Sequence, residues 1–125
     1  MSSKILVVDD EAEVVLRLKN MLTAKGYSVV TAFDGKQGLD MALAEKPDLI
    51  LLDIVMPKKD GFKVLGEIRL SEITKDIPVI LLSAKSQTDF LFEGKRLMAT
   101  DYLIKPIEVE KLLKYIRRYL SLTQA

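Results

Sequence analysis

The chain has 125 residues, 49% apolar and 30% charged, the composition of an ordinary globular domain and not of a disordered segment. Its net charge is +1, from 19 basic and 18 acidic residues, so no global field draws it to nucleic acid or an anionic membrane. It contains neither Cys nor His, which excludes disulfides, thiol nucleophiles, Cys/His zinc sites, Ser-His triads and imidazole bases. Carboxylates, hydroxyls, Lys and oxygen-ligated metals remain.

Lys4–Val8 reads as a strand buried on both faces. Glu11–Lys25 places Val14, Val15, Leu18, Met21 and Leu22 on one helical stripe, with Gly26 in position to cap its end. Tyr27–Ala32 is a β-branched second strand. Asp34 then precedes a helix over Lys36–Lys46, with Gln37 placed for a capping box and Pro47 as the stop. Asp48–Leu52 is the third strand, followed by a loop punctuated by Pro57 and Gly61 and a helix over about Phe62–Leu70. Val79–Leu82 is the fourth strand, and Ser86 caps a fourth helix over about Gln87–Met98. Tyr102–Ile104 is a short fifth strand. The last helix, Glu108–Leu120, lines up Val109, Leu112, Leu113, Ile116, Tyr119 and Leu120.

Five β-α units in strict alternation, with continuous apolar strands, predict one α/β domain over residues 1–125: a parallel sheet covered by helices on both faces. The longest aliphatic runs, Ile5–Val8, Leu49–Leu52 and Val79–Leu82, are four residues each. That is too short for a membrane span or a secretion signal, so the expected compartment is the cytoplasm and no membrane partner is expected.

Ligands bind outside the carboxyl ends of strands in such sheets. Those ends here carry Asp9-Asp10, Asp53, Ser83 and Lys105. Each has a bland explanation alone: Asp10 as a helix cap with Glu13, Ser83 as a turn residue, Lys105 as a solvated charge. Together they make one polar rim. Clustered carboxylates repel unless a cation is present; Lys105 supplies one charge, and a hard, oxygen-ligated Mg2+ is the natural second. A carboxylate can attack a phosphoryl group while metal, Lys and hydroxyl neutralise the developing charge. Asp53, single and on the central strand, suits the nucleophile; the Asp9-Asp10 pair suits the metal.

The motifs ILVVDDE (Ile5–Glu11), DLILLDIVMPKKDG (Asp48–Gly61), VILLSA (Val79–Ala84) and DYLIKP (Asp101–Pro106) resemble the receiver domain of bacterial response regulators, over essentially the whole chain. The resemblance implies a flavodoxin-like (βα)5 three-layer sandwich with strand order 2-1-3-4-5. It implies that Asp53 accepts a phosphoryl group from a histidine kinase or histidine phosphotransfer protein. Asp9, Asp10, Asp53 and the backbone carbonyl of Val55 would hold Mg2+. Ser83 would bond the phosphoryl oxygen, Lys105 would pair with it, and Tyr102 would be the switch aromatic that turns inward with Ser83. The Lys105–Pro106 bond is a candidate cis peptide. The output would be a surface around the fourth helix, fifth strand and last helix that binds a downstream protein or output domain, or forms a phosphorylation-dependent dimer, with no direct nucleic-acid contact. This is a signalling role in which the domain promotes only its own phosphorylation and dephosphorylation.

Two other classes use similar residues. A Mg2+ phosphohydrolase of the haloacid dehalogenase type needs a second Asp two residues after its nucleophile, where Val55 stands. A receiver-like module that is never phosphorylated is opposed by the intact set of site residues. The chain also departs from the family where Met98-Ala99 replaces a Gly-Ala pair, and Gly94 lies within the fourth helix. An irregular, weakly stable fourth helix is therefore expected. Val55 and Lys85, two positions after Asp53 and Ser83, stand where the resemblance implies control over loss of the phosphoryl group; an aliphatic Val55 cannot orient an attacking water, so a longer-lived phosphoryl state is expected. Phe90, Leu91 and Phe92 cannot all face inward. Lys111, Lys114, Arg117 and Arg118 on the last helix read as a solvated face or a docking surface.

Overall fold

Apolar side chains at nearly every position of the strand segments leave neither sheet face free for water, and the chain resolves this by covering both. The computed structural model describes residues 3–54, 60–84 and 98–123. Its elements run β1 (Lys4–Val8), α1 (Ala12–Ala24), β2 (Ser28–Ala32), α2 (Gly35–Glu45), β3 (Leu49–Asp53), α3 (Gly61–Leu70), β4 (Val79–Ala84), β5 (Asp101–Lys105) and α4 (Val109–Thr123). The five strands form one parallel sheet in the order β2-β1-β3-β4-β5, the flavodoxin-like arrangement. The predicted helix over Gln87–Met98, with Gly94, Phe90, Leu91 and Phe92, lies outside the described residues apart from Met98; so do Val55 and Lys85.

Alternation along the strands divides the core in two. Ile5, Val7, Leu49, Leu51, Ile80, Leu82 and Leu103 pack against α1 and α4. The intervening Leu6, Val8, Ile50, Leu52, Val79 and Leu81 pack against α2 and α3. Gly26, at φ +94, ends α1: its amide bonds Thr23 O and the Tyr27 amide bonds Leu22 O, the paired pattern of a Schellman cap. Asp34 Oδ1 accepts from the Gln37 amide, while Gln37 Oε1 reaches back to the Phe33 amide, one residue earlier than in a standard capping box.

Two expectations are corrected, and a third, Tyr119 on the apolar stripe, is met with the ring packed against the core but only partly buried. The third, fourth and fifth strands run further than their apolar residues, because the parallel ladder keeps pairing: Asp53 sits opposite Leu82, Ser83 opposite Ile104 and Ala84 opposite Lys105. Val109, expected on the apolar stripe of the last helix, is exposed in its first turn, whereas Leu112, Leu113, Ile116 and Leu120 are buried. Tyr119 is only half-buried, and its hydroxyl donates to Asp101 Oδ2.

Candidate functional site

The ladder delivers the site residues to the carboxyl edge of the sheet on rigid backbone. Asp9 follows β1, and its amide bonds Ala32 O on β2. Asp53 continues the row of Leu49 and Leu51, and Lys105 the row of Leu103, so both lean toward the α1–α4 side of the rim. Asp9 and Ser83 are fully buried and Asp53 is 4% exposed, while Asp10 is exposed.

One carboxylate oxygen from each of Asp9, Asp10 and Asp53 lies within 4.8 Å of the other two. Lys105 Nζ is 2.9 Å from Asp9 Oδ2, 3.1 Å from Glu11 Oε1 and 3.6 Å from Asp53 Oδ2. Burial opposes the Lys105 charge, but the bond to Asp9, the charges of Asp53 and Asp9 and the bond to Glu11 outweigh it and hold its pKa above the ordinary Lys range. Asp9 Oδ1 accepts from the Glu11 amide at 2.9 Å. Asp10 does not cap α1: the N-cap is Glu11, whose own side chain makes no capping bond. Ser83 Oγ is buried without a hydrogen-bond partner among the described residues, an arrangement that costs stability unless a ligand oxygen completes it.

The donor set fits a small hard cation. It is all oxygen, the ligand type that Mg2+ takes, and three carboxylates converge on one point. It also lacks the glycine-rich cradle that a flavin phosphate or nucleotide would need. Among the described residues one lysine faces four carboxylates, counting Glu11, which leaves the pocket attractive to positive charge.

The structure thus brings Asp9, Asp10, Asp53 and Lys105 together, with Ser83 buried one residue beyond the partner of Asp53 on β4. Tyr102, on β5, is 47% exposed. The Lys105–Pro106 peptide is cis. Sequence reasoning missed two contributors. Glu11 appeared only as the start of the first predicted helix and the last residue of the ILVVDDE motif, although its place directly after the Asp pair aims it at the rim. Gly61 appeared only as loop punctuation, yet a Cβ there would overlap the Asp53 carbonyl oxygen.

A carboxylate rim closed by one lysine on a flavodoxin-like sheet is the layout of a receiver-type signalling protein. The model of the response regulator receiver domain matches residues 5–117, and the chain belongs to that family. It is 45% identical over 114 residues to the transcriptional regulatory protein DltR of Streptococcus agalactiae, covering 91% of this chain but 50% of DltR. It is 40% identical over 119 residues to protein PilH of Pseudomonas aeruginosa, covering 95% of this chain and 98% of PilH. The chain therefore spans about half the length of some curated relatives and nearly all of another. The receiver domain of the sensor histidine kinase PA1611 from Pseudomonas aeruginosa PAO1, solved with a magnesium ion coordinated in its active site cleft, superposes with a TM-score of 0.89. It shows 29% identity over 97% of this chain and 99% of that one.

Proposed function

We propose that residues 1–125 act as one receiver unit, a switch in which Asp53 accepts a phosphoryl group from the phosphohistidine of a histidine kinase or phosphotransfer protein. The observation that carries this is the placement of Asp53: buried at the end of the central strand, beside the Lys105 ammonium and facing Asp9 and Asp10.

In the transfer, an Asp53 carboxylate oxygen bonds to phosphorus as the P–N bond to the donor imidazole breaks. The imidazole leaves with the bonding electrons and takes up a proton, and an acyl phosphate remains. Lys105 pairs with the incoming phosphoryl oxygens, and the Ser83 hydroxyl, without a partner among the described residues, donates to one of them. Asp9, Asp10 and Asp53, with the carbonyl of Val55 as the expected further ligand, would hold Mg2+, which would supply charge neutralisation to the transfer. The Ser83 movement draws Tyr102 inward from its exposed position. The changed surface of β5, α4 and the segment expected from the sequence to form a helix over Gln87–Met98 then binds a downstream protein, an output domain or a second copy. Lys111, Lys114, Arg117 and Arg118 are all exposed on that side, with Lys111 Nζ and Arg118 Cζ 5.8 and 5.5 Å from the Tyr115 ring centroid. The cytoplasm, where kinases would meet it, is the proposed compartment; no helix among the described residues is long and apolar enough to cross a membrane.

Incubation with Mg2+ and acetyl phosphate, followed by intact mass measurement, tests the proposal. A single phosphoryl adduct is expected in the wild type and none in Asp53→Asn, with strong reduction by chelator or Asp10→Asn. An equal adduct in Asp53→Asn would refute it, and steady turnover of phosphate esters would indicate a hydrolase.

A further inference from the structure

Glu11 occupies the N-cap of α1 with extended backbone, φ −88° and ψ 106°, yet makes no capping bond. Capping favours the short side chains of Ser, Thr, Asp and Asn. The Glu11 carboxylate instead crosses the rim to a residue 94 positions away, its Oε1 3.1 Å from Lys105 Nζ. The same ammonium lies 2.9 Å from Asp9 Oδ2 and 3.6 Å from Asp53 Oδ2, so the acceptor has the longest of the three contacts.

We propose that Glu11 is a latch, a positioning residue that holds the Lys105 ammonium off Asp53 in the resting protein and releases it when a phosphoryl group arrives. This rests on the phosphoacceptor reading of Asp53. A lysine ammonium has three donors, and Asp9 and Glu11 already occupy two of them at close range. One donor remains, but a phosphoryl group on Asp53 adds several strong anionic acceptors that compete with both holders for the ammonium, and the more weakly held of the two yields. Asp9 cannot readily do so: it is fully buried, and its other oxygen is tied to the Glu11 amide. The Glu11 side chain is 61% exposed and rehydrates cheaply once released. Its backbone also stays fixed on Asp9, so only the side chain has to swing.

The latch slows phosphorylation by the strength of one exposed ion pair, a factor of about two to five in rate. The test uses the full chain as wild type, Glu11→Gln, Glu11→Asp and Glu13→Gln, each incubated with Mg2+ and acetyl phosphate and followed by intact mass. In each transfer the Asp53 O–P bond forms as the P–O bond to acetate breaks, acetate leaving with the electron pair. Glu11→Gln removes charge and contact, Glu11→Asp keeps the charge but shortens the reach, and Glu13→Gln removes one charge from the exposed first turn of α1. Both Glu11 variants are expected to phosphorylate about two- to five-fold faster, with Glu13→Gln at the wild-type rate. In the unphosphorylated proteins the Lys105 15Nζ resonance is expected to move in both Glu11 variants and to stay in Glu13→Gln. An unmoved resonance overturns the latch whatever the rates. A moved resonance with unchanged rates, or the same acceleration in Glu13→Gln, shows that the pair does not restrain the reaction and also overturns it. A wild type that accepts no phosphoryl group defeats the phosphoacceptor reading itself, and the latch function with it.

Discussion

At Gly61 one methyl group decides whether β3 can present Asp53 at all. A Cβ there would run into the Asp53 carbonyl oxygen and come within 2.8 Å of Ile54 Cα and 2.9 Å of Ile54 O, all backbone that has nowhere to go. At Gly38 the corresponding contact, 2.8 Å, is with Val8 Cγ1, a side-chain methyl and not backbone. Gly61→Ala is therefore expected to cost about 1–3 kcal/mol in denaturant unfolding, clearly more than Gly38→Ala; equal costs would contradict the account. The residues that form the site divide by how they could be read. Asp9, Asp10, Asp53 and Lys105 stand out because each interrupts or ends an apolar strand at the edge where ligands bind. Gly61 and Glu11 act through contacts that close only after folding, a backbone approach across a loop and an ion pair between β5 and the start of α1, and neither leaves a local pattern.

At the scale of elements, left-handed backbone separates what composition could and could not show. Gly26 takes its cap as expected, but α2 ends on Lys46 at φ 48°, and the turn into β5 has Met98 at φ 68°. Met98 thus adopts the conformation that the family's usual glycine provides, and tertiary contacts hold it there. Arg69, from the end of α3, donates Nε to Met98 O at 2.9 Å and Nη1 to Lys75 O and Ile77 O, with Thr100 Oγ1 at 3.4 Å from Nη2. This anchor is illegible in sequence because most of its acceptors are backbone carbonyls, which every residue carries. Met98 is also exposed, so its side chain has little packing to lose. Replacing it by Gly should raise unfolding stability by about 0.5–1 kcal/mol, the relief of left-handed strain less the added freedom of the unfolded chain. A Met98→Gly variant no more stable than wild type would show the turn to be unstrained.

For the molecule as a whole, alternating apolar strands and amphipathic helices were enough to predict a sheet covered on both faces. The order β2-β1-β3-β4-β5 was not contained in that periodicity, which says which faces are buried but not which strands are neighbours; it came with the motif resemblance. The net charge of +1 was equally uninformative, because it averages four acids within Asp9–Glu13 against four bases on α4. Away from the site, the Tyr119–Asp101 bond ties α4 to the start of β5. Burial and that bond raise the Tyr119 pKa above its ordinary 10.0, with Arg118 partly opposing. A group whose pKa is raised on folding contributes stability that is complete below its unfolded value and is lost as pH climbs through the folded one. Stability should therefore fall as pH rises above 10.0, and Tyr119→Phe should flatten part of that loss in unfolding measured from neutral to alkaline pH. An identical alkaline profile in the variant would remove Tyr119 from the account.

The central claim is that Asp53, and neither member of the Asp9-Asp10 pair, carries the phosphoryl group. Borohydride reduction of the Mg2+- and acetyl phosphate-treated protein, followed by peptide mapping, tests it most directly, because an acyl phosphate is reduced to the alcohol where a free carboxylate is not. Homoserine at position 53 with Asp9 and Asp10 intact is the predicted result; homoserine at position 9 or 10, with Asp53 unmodified, would contradict it.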